Sequence, residues 1–170
     1  MMEWLKDLSV HILGIIVGGL IAYRIVRWQF EDDEITVSRK NRLLLKENIR
    51  RIHAELKSNL HRMIELKGIL HSNNPLTVET LEGGSAYVEA NCFFAFHHLR
   101  SSSLYMLLPA PLEIYVYESY SQLERFQNSY RLTLRGLPNA LESSVPKMEA
   151  ALNELIHSLE TNLKQMGDFL

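Results

Sequence analysis

Residues 45–70 read LKENIRRIHAELKSNLHRMIELKGIL, and this is the longest regular pattern in the chain. Its apolar residues alternate spacings of four and three, as in a helix that buries one face against other helices. Asn59 is the polar member of this seam, and it either fixes the register between helices or caps a local irregularity. The pattern predicts one long helix from Ser38 to about Ser72, with its seam at Leu45, Ile49, Ile52, Leu56, Asn59, Met63, Leu66 and Leu70.

The segment after this helix contains two interruptions. Asn73-Asn74-Pro75 should end the helix, because proline lacks an amide proton and disfavours helix before it. Thr77–Glu82 could form a short helical turn before Gly83-Gly84-Ser85, which is typical of a break. The aromatic-rich stretch from Ala86 to about Arg100 predicts a buried helix.

The C-terminal half predicts two further helices after a loop at Ser101–Pro111. Pro111 occupies the favoured first turn of a helix that should run to about Arg135, with Gly136 closing it. A last helix should begin near Asn139 or Ser143 and place one apolar side inward. That side consists of Met148, Leu152, Leu155, Ile156, Leu159, Leu163 and Met166.

An uncharged apolar run precedes the whole pattern, from Leu8 to Tyr23. Extended to Trp28, it is about long enough to cross a bilayer of roughly 30 Å. Trp4 and Trp28 would then be about 36 Å apart, near the two interfaces where tryptophan settles. A cleaved signal peptide would need a small-residue cleavage site, but Arg24 follows the run instead.

The predicted fold class is therefore all-α, with an N-terminal transmembrane helix followed by an up-and-down cytosolic helical bundle. Residues 1–28 form the anchor, 29–37 a juxtamembrane linker and 38–170 the bundle. Lys6 is the only lysine or arginine before the apolar run, whereas Arg24, Arg27, Arg39, Lys40, Arg42 and Lys46 follow it. This asymmetry predicts a cytoplasmic C-terminal domain.

The anchor carries small residues at four-residue spacing, Gly14, Gly18 and Ala22. Such a face lets a second helix approach closely, which favours a homo-oligomer. The alternative is that glycine is simply common in membrane helices.

The composition argues against several classes of protein. The net charge of −2 does not suggest binding to duplex nucleic acid. The single cysteine, Cys92, fits a reducing cytosol and is expected to be buried as a small side chain. No aspartate lies between Asp33 and Asp168, and no catalytic motif is present, so we expect neither an enzyme nor a cofactor. Adjacent His97 and His98 would point about 100° apart on a helix, which disfavours a shared metal ion.

A basic stripe is the strongest candidate for a binding site. Its residues recur at spacings of three and four along the first long helix, at Arg39, Arg42, Lys46, Arg50, His53, Lys57 and His61. One interpretation is a solvated face attracted to anionic lipid headgroups. The other is a site for a phosphate-rich ligand, formed where several subunits converge. Further candidates are Arg100, Arg125, Arg131 and Arg135, with Tyr105, Tyr115, Tyr117, Tyr120 and Tyr130 as surfaces for stacking bases.

Leu107-Leu108-Pro109 precedes a helix bearing Tyr115, Tyr117, Tyr120 and Asn128. This order is similar to the leucine-proline turn and tyrosine-bearing helix of small bacterial single-pass membrane proteins, which implies the bacterial inner (cell) membrane. The architecture also resembles the membrane effectors of type III CRISPR systems. That resemblance implies a cyclic oligoadenylate ligand and a membrane disturbed in antiviral defence, but it carries over no ligand-binding residues.

Two functions therefore lead. The first is an oligomeric membrane effector or sensor that binds an anionic ligand, such as a cyclic nucleotide, and signals to its transmembrane helix. The second is a membrane-anchored structural subunit or adaptor that docks a partner protein with the bundle.

Overall fold

The computed structural model describes the backbone of residues 2–72 and 78–170 and the side chains of residues 20–71, 79–136 and 145–170. These residues form helices α1 (Met2–Ser72), α2 (Val78–Glu89), α3 (Phe94–Arg100) and α4 (Ala110–Gly167). A 3₁₀ helix at Ser103–Leu107 lies between α3 and α4. No strand occurs in this part of the chain, so the all-α prediction is confirmed there.

The predicted anchor falls largely outside this description, because the side chains of residues 1–19 are not included. Over the residues that the structure does cover, no helix combines the length and the hydropathy that a membrane crossing requires. The transmembrane helix thus stays a prediction.

The chain forms two compact units, Met1–Leu43 and Leu44–Leu170. In the first unit every described side chain except that of Asn41 is exposed. Residues 29–37, interpreted above as a linker, are helical and belong to α1. The second unit contains the hydrophobic core.

The predicted seam of α1 forms one wall of that core. All of its members from Ile49 to Leu70 are buried, including Asn59, and Leu45 is half-buried. Each fully buried leucine or isoleucine stabilises the fold by about 1.5–3 kcal/mol. The apolar face predicted for residues 148–166 is buried as well.

The two described parts of α4 lie side by side. A straight helix would separate Ser119 and Asn162 by about 64 Å, yet the Asn162 amide donates a 3.1 Å hydrogen bond to the Ser119 hydroxyl. Residues 122–129 also share a groove with residues 151–155, so the two parts are antiparallel. The antiparallel contacts require the chain to reverse direction between residues 129 and 151, as expected for two successive helices, although helical backbone continues through Gly136 itself. Residues 137–144, where the last helix was expected to begin, lie outside the described side chains.

Long-range contacts give the directions of the helices in the second unit. Glu55 contacts Tyr120, and Leu66 and Tyr130 both approach Gly84, so α1 runs parallel to residues 110–136. The α2 helix runs antiparallel to α1, because its Gly84 meets Leu66 and the turn after it meets Asn59. Antiparallel directions are therefore shown for α1 with α2 and for the two described parts of α4 with each other.

The break predicted at Gly83-Gly84-Ser85 is wrong, because these residues lie inside α2. A Cβ atom on Gly84 would stand 2.8 Å from the Leu66 Cδ1 atom and would also collide with the Tyr130 hydroxyl. Glycine at this position therefore serves close packing of three helices. The helix interior tolerates it at a cost of about 1 kcal/mol relative to alanine.

The segment 86–100 is divided, contrary to the single helix expected there. The α2 helix ends at Glu89, a turn follows, and α3 begins at Phe94. Cys92 lies in this turn and is exposed, so its predicted burial is wrong. The segment Ser101–Pro111 contains the short 3₁₀ helix instead of being only a loop, whereas Pro111 lies in the first turn of α4 as expected.

Candidate functional site

The basic stripe predicted on α1 is a solvent-facing surface. Arg39 and Arg42 are exposed and belong to the first unit. In the second unit, Lys46, Arg50, Lys57 and His61 are exposed and His53 is half-buried. We call these five residues the basic face of the bundle: Lys46, Arg50, His53, Lys57 and His61.

The two lysines and the arginine of the basic face have no partners among the described side chains. Neither a hydrogen bond nor an ion pair joins Lys46, Arg50 or Lys57 to residues 20–71, 79–136 or 145–170. His61 differs, because its Nε2 atom lies 3.3 Å from a Glu65 carboxylate oxygen. The three cations are therefore available to an anion from solution.

The other arginines considered from the sequence make different contacts. The Arg131 guanidinium lies 3.6 Å from the Glu89 carboxylate, and that of Arg100 lies 6.0 Å from the centroid of the Phe96 ring. Arg125 lines a groove between the two parts of α4, and Arg135 is exposed. No interaction places these arginines on the basic face in the described part of the chain.

The residues predicted to join transmembrane helices are only partly covered by the structure. Gly14 and Gly18 lie among residues 1–19, outside the described side chains, and Ala22 is exposed. The structure does not bring these residues into a described contact.

A hydrogen-bond cluster around the half-buried Glu55 carboxylate, which the sequence did not reveal, joins three helices. One Glu55 oxygen accepts a hydrogen bond from the Tyr120 hydroxyl at 2.5 Å, and the other accepts a hydrogen bond from the Ala95 backbone N–H at 2.8 Å. The second bond satisfies an orphan donor at the start of α3, where Phe93 provides no side-chain cap. Burial, followed by the hydrogen bond to Glu55, raises the pKa of Tyr120. The cluster holds α3 against α1 and α4.

Asn59 anchors the turn between α2 and α3. Its amide donates to the Cys92 carbonyl at 2.8 Å and accepts from the Cys92 N–H at 2.9 Å. The Arg62 guanidinium donates to the same Asn59 oxygen at 3.1 Å and lies 3.7 Å from the Cys92 Sγ atom. These contacts join Asn59 to an irregular turn and not to another helix, so they do not correspond to the register between helices that was one of its two expected roles.

The tyrosines divide between core and surface. Tyr120 and Tyr130 are buried, and the Tyr120 ring stacks on that of Phe96 with centroids 4.4 Å apart. Burial raises the pKa of Tyr130 to about 12, and its hydroxyl donates to the Leu81 carbonyl. These two rings cannot stack on a ligand base. Tyr117 is exposed, whereas Tyr105 and Tyr115 are half-buried.

The adjacent histidines are both exposed on α3. The His98 ring stacks on that of Phe94, and the His97 ring lies near those of Phe93 and Phe96. Across the described residues, no group of three histidine, cysteine, aspartate or glutamate side chains could hold a metal ion.

An apolar patch lies around the start of α4 and the preceding 3₁₀ helix. Met106 is 86% exposed, and Leu107, Ile114 and Tyr117 are each more than half exposed. Burial, followed by the neighbouring Glu113 carboxylate, raises the pKa of Tyr105. The sequence signal for this patch was the apolar run at 104–108, which was interpreted only as part of a loop.

Comparison of the chain with protein-family profiles, curated proteins and solved structures finds no match.

Proposed function

We propose that this protein is a membrane-anchored homo-oligomeric sensor without enzymatic activity, whose helical domain binds a phosphate-rich anion. The observation that carries the proposal is the extent of α1, from Met2 to Ser72. This one helix contains the apolar run, the small-residue face and the basic stripe. Ligand binding at the basic face would thus act on the element that also forms the anchor.

Exposed apolar side chains in the first unit support the membrane anchor. Trp28 is 74% exposed, and Leu20, Ile21, Tyr23 and Ile25 are each at least half exposed. Leu20, Ile21 and Tyr23 belong to the uncharged run from Leu8 to Tyr23, and Ile25 and Trp28 follow it. Contiguous apolar surface of this kind is unfavourable in water and favourable in a bilayer. The positive charges that follow it support a cytoplasmic bundle in a bacterial inner membrane.

Self-association is supported by apolar residues beyond that run. Phe30 is 70% exposed, and Ile35, Val37 and Leu43 are each more than half exposed. An isolated helix with such side chains is marginal in water and gains stability when another helix covers them. A second copy of α1, brought close by Gly14 and Gly18, would provide that cover.

The ligand is proposed from the charge and spacing of the basic face. Lys46, Arg50 and Lys57 are exposed cations without partners in the described structure. From Lys46 to Lys57 the helix rises about 16 Å, which suits several phosphates better than one. Copies arranged about a symmetry axis would multiply these cations around one ligand. A cyclic oligonucleotide, as in the effectors that the architecture resembles, has this chemistry.

Calorimetric titration of the full-length protein in detergent with cyclic tetra-adenylate tests the ligand. We expect Arg50→Gln and Lys57→Gln each to weaken binding by about threefold to tenfold, since a charged contact contributes about 1 kcal/mol. Lys164→Gln, an exposed lysine near the end of α4, is the matched control and should bind as the wild type does.

Two further arms distinguish sources of phosphate. Binding to vesicles that contain phosphatidylglycerol but not to cyclic tetra-adenylate would assign the basic face to lipid headgroups. Equal binding by wild type, Arg50→Gln and Lys57→Gln would refute the site. Resistance of the wild-type chain to carbonate extraction from membranes tests the anchor, and release by carbonate would contradict it.

A second candidate function rests on the apolar patch at Met106, Leu107, Ile114 and Tyr117. Exposed apolar surface of this kind is typical of protein docking sites, which favours a membrane-anchored adaptor. A stoichiometric partner lost on Met106→Ser and Leu107→Ser, but retained on Arg50→Gln, would support the adaptor. A partner that persists in both patch variants would oppose it.

A further inference from the structure

A groove runs between the two described parts of α4, within the second unit. Its floor is formed by Phe126 and Leu155, which are 5% and 4% exposed. Gln122, Arg125, Ser129 and Glu154 line it above that floor. The groove encloses about 290 Å³, at the lower end of the volumes of small-molecule sites, so it suits a small ligand.

The groove contains an unsatisfied hydrogen-bond acceptor. The Gln122 side-chain oxygen is buried and accepts no hydrogen bond from any described residue. An unpaired buried polar atom is unfavourable, and most such atoms in native proteins have a partner. This oxygen is not accessible to solvent, so a ligand donor in the groove reaches it only when the Gln122 side chain turns towards the groove, and the hydrogen bond formed there would remove the penalty.

Opposite charges line the same groove without neutralising each other. Arg125 and Glu154 are both exposed, and neither forms an ion pair with the other or with any side chain at 20–71, 79–136 or 145–170. A guanidinium recognises a carboxylate and a carboxylate recognises an ammonium group. The groove therefore offers both charges, an amide acceptor and an apolar floor.

We propose that this groove binds a small zwitterion, namely a free α-amino acid with an apolar side chain. Its carboxylate contacts Arg125 and its ammonium group contacts Glu154. An ammonium N–H donates a hydrogen bond to the Gln122 oxygen once that side chain has turned towards the groove. Its side chain covers Phe126 and Leu155. The site is separate from the basic face and does not depend on the function proposed for it.

The test is calorimetric titration of the full-length protein in detergent with L-leucine. Isocaproate lacks the ammonium group of leucine and isoamylamine lacks its carboxylate, so both should bind at least about tenfold more weakly. Arg125→Gln and Glu154→Gln should each weaken leucine binding by a similar factor. The controls Arg135→Gln and Glu160→Gln remove exposed charges outside the groove and should leave it unchanged.

Gln122→Leu separates binding from folding. This substitution removes the unpaired oxygen, so the free protein should unfold at the same temperature or higher while leucine binding weakens about tenfold. Absence of leucine binding at millimolar concentration would overturn the proposal, as would equal binding of leucine and isocaproate. Arg50→Gln should not affect leucine binding, so failure of this site and failure of the basic face can be distinguished.

Discussion

Replacement of Asn59 by alanine is the most informative test of how the bundle is held together. The Asn59 side chain is fully buried and forms a pair of hydrogen bonds with the backbone of Cys92, at 2.8 and 2.9 Å. Alanine also fits the helical backbone conformation, but its side chain has no polar atom. Asn59→Ala therefore removes the link between α1 and the turn before α3 without disturbing α1 itself.

The expected loss follows from the groups left without partners. A buried backbone donor or acceptor that loses its partner costs about 1–3 kcal/mol. Cys92 is exposed, so water can reach part of the turn and the lower half of that range applies to each group. For the N–H and the carbonyl of Cys92 together, we expect Asn59→Ala to lower the free energy of unfolding by about 2–4 kcal/mol. Asn153→Ala, an exposed asparagine of α4, should change it by less than about 0.5 kcal/mol.

Urea unfolding of the full-length protein in a mild detergent, followed by circular dichroism, measures this difference. Hydrogen exchange provides a local measurement, because the amides of residues 90–93 should exchange faster in Asn59→Ala than in the wild type. A loss no larger than that of Asn153→Ala would refute the reasoning. Unchanged exchange at 90–93 would show that other contacts hold the turn.

Three further predictions concern packing and protonation in the core. Gly84→Ala should destabilise the fold by about 1–3 kcal/mol in urea unfolding, since its Cβ would collide with neighbouring side chains, whereas Gly83→Ala, with open space around it, should be neutral or stabilising. Glu55→Ala should cost about 2–4 kcal/mol, because both the Tyr120 hydroxyl and an N–H of α3 lose their acceptor. Burial raises the pKa of Tyr130 to about 12, so the folded state favours the neutral hydroxyl. The resulting contribution to stability is complete below pH ~10 and is lost as the pH rises from there towards 12. Alkaline unfolding should therefore shift to higher pH in Tyr130→Phe.

Each of these has a contradicting result. Equal stability of Gly84→Ala and Gly83→Ala would mean that α2 is not packed closely at Gly84. If Glu55→Ala left the free energy of unfolding unchanged, the Glu55 carboxylate would not be what holds α3 in place. Ultraviolet absorbance follows tyrosine ionisation, and titration of every tyrosine near pH ~10 in the folded protein would contradict the buried hydroxyls.

The sequence predicted the helical core because periodicity reports burial directly. The spacing from Leu45 to Leu70 located the buried face of α1, and that of residues 148–166 located its counterpart in α4. The start of α4 near Pro111 also followed from backbone chemistry, whereas the helix end expected at Asn73-Asn74-Pro75 lies outside the described residues. These features depend on residues near one another in sequence.

The misinterpreted features depend on partners far away in the chain. Gly84 looked like a break because its neighbours Leu66 and Tyr130 cannot be identified from local sequence. Cys92 looked buried because of its apolar neighbours, but Asn59 holds it in an exposed turn.

The candidate sites show the same limit. The basic face followed from spacing, and the structure places its lysines and arginine on the exposed side of α1. The groove at Gln122, Arg125 and Glu154 arises from the antiparallel packing of segments about thirty residues apart, as the lining of residues 122–129 and 151–155 shows. No spacing rule predicts a site of that kind.

Native mass spectrometry of the detergent-solubilised full-length protein, with and without cyclic tetra-adenylate, tests the central claim most directly. The account predicts a discrete homo-oligomer that gains the mass of the ligand, with the gain weakened by Arg50→Gln and Lys57→Gln and unaffected by Lys164→Gln. A monomer that remains free of ligand under both conditions would contradict it and leave the adaptor as the better-supported function.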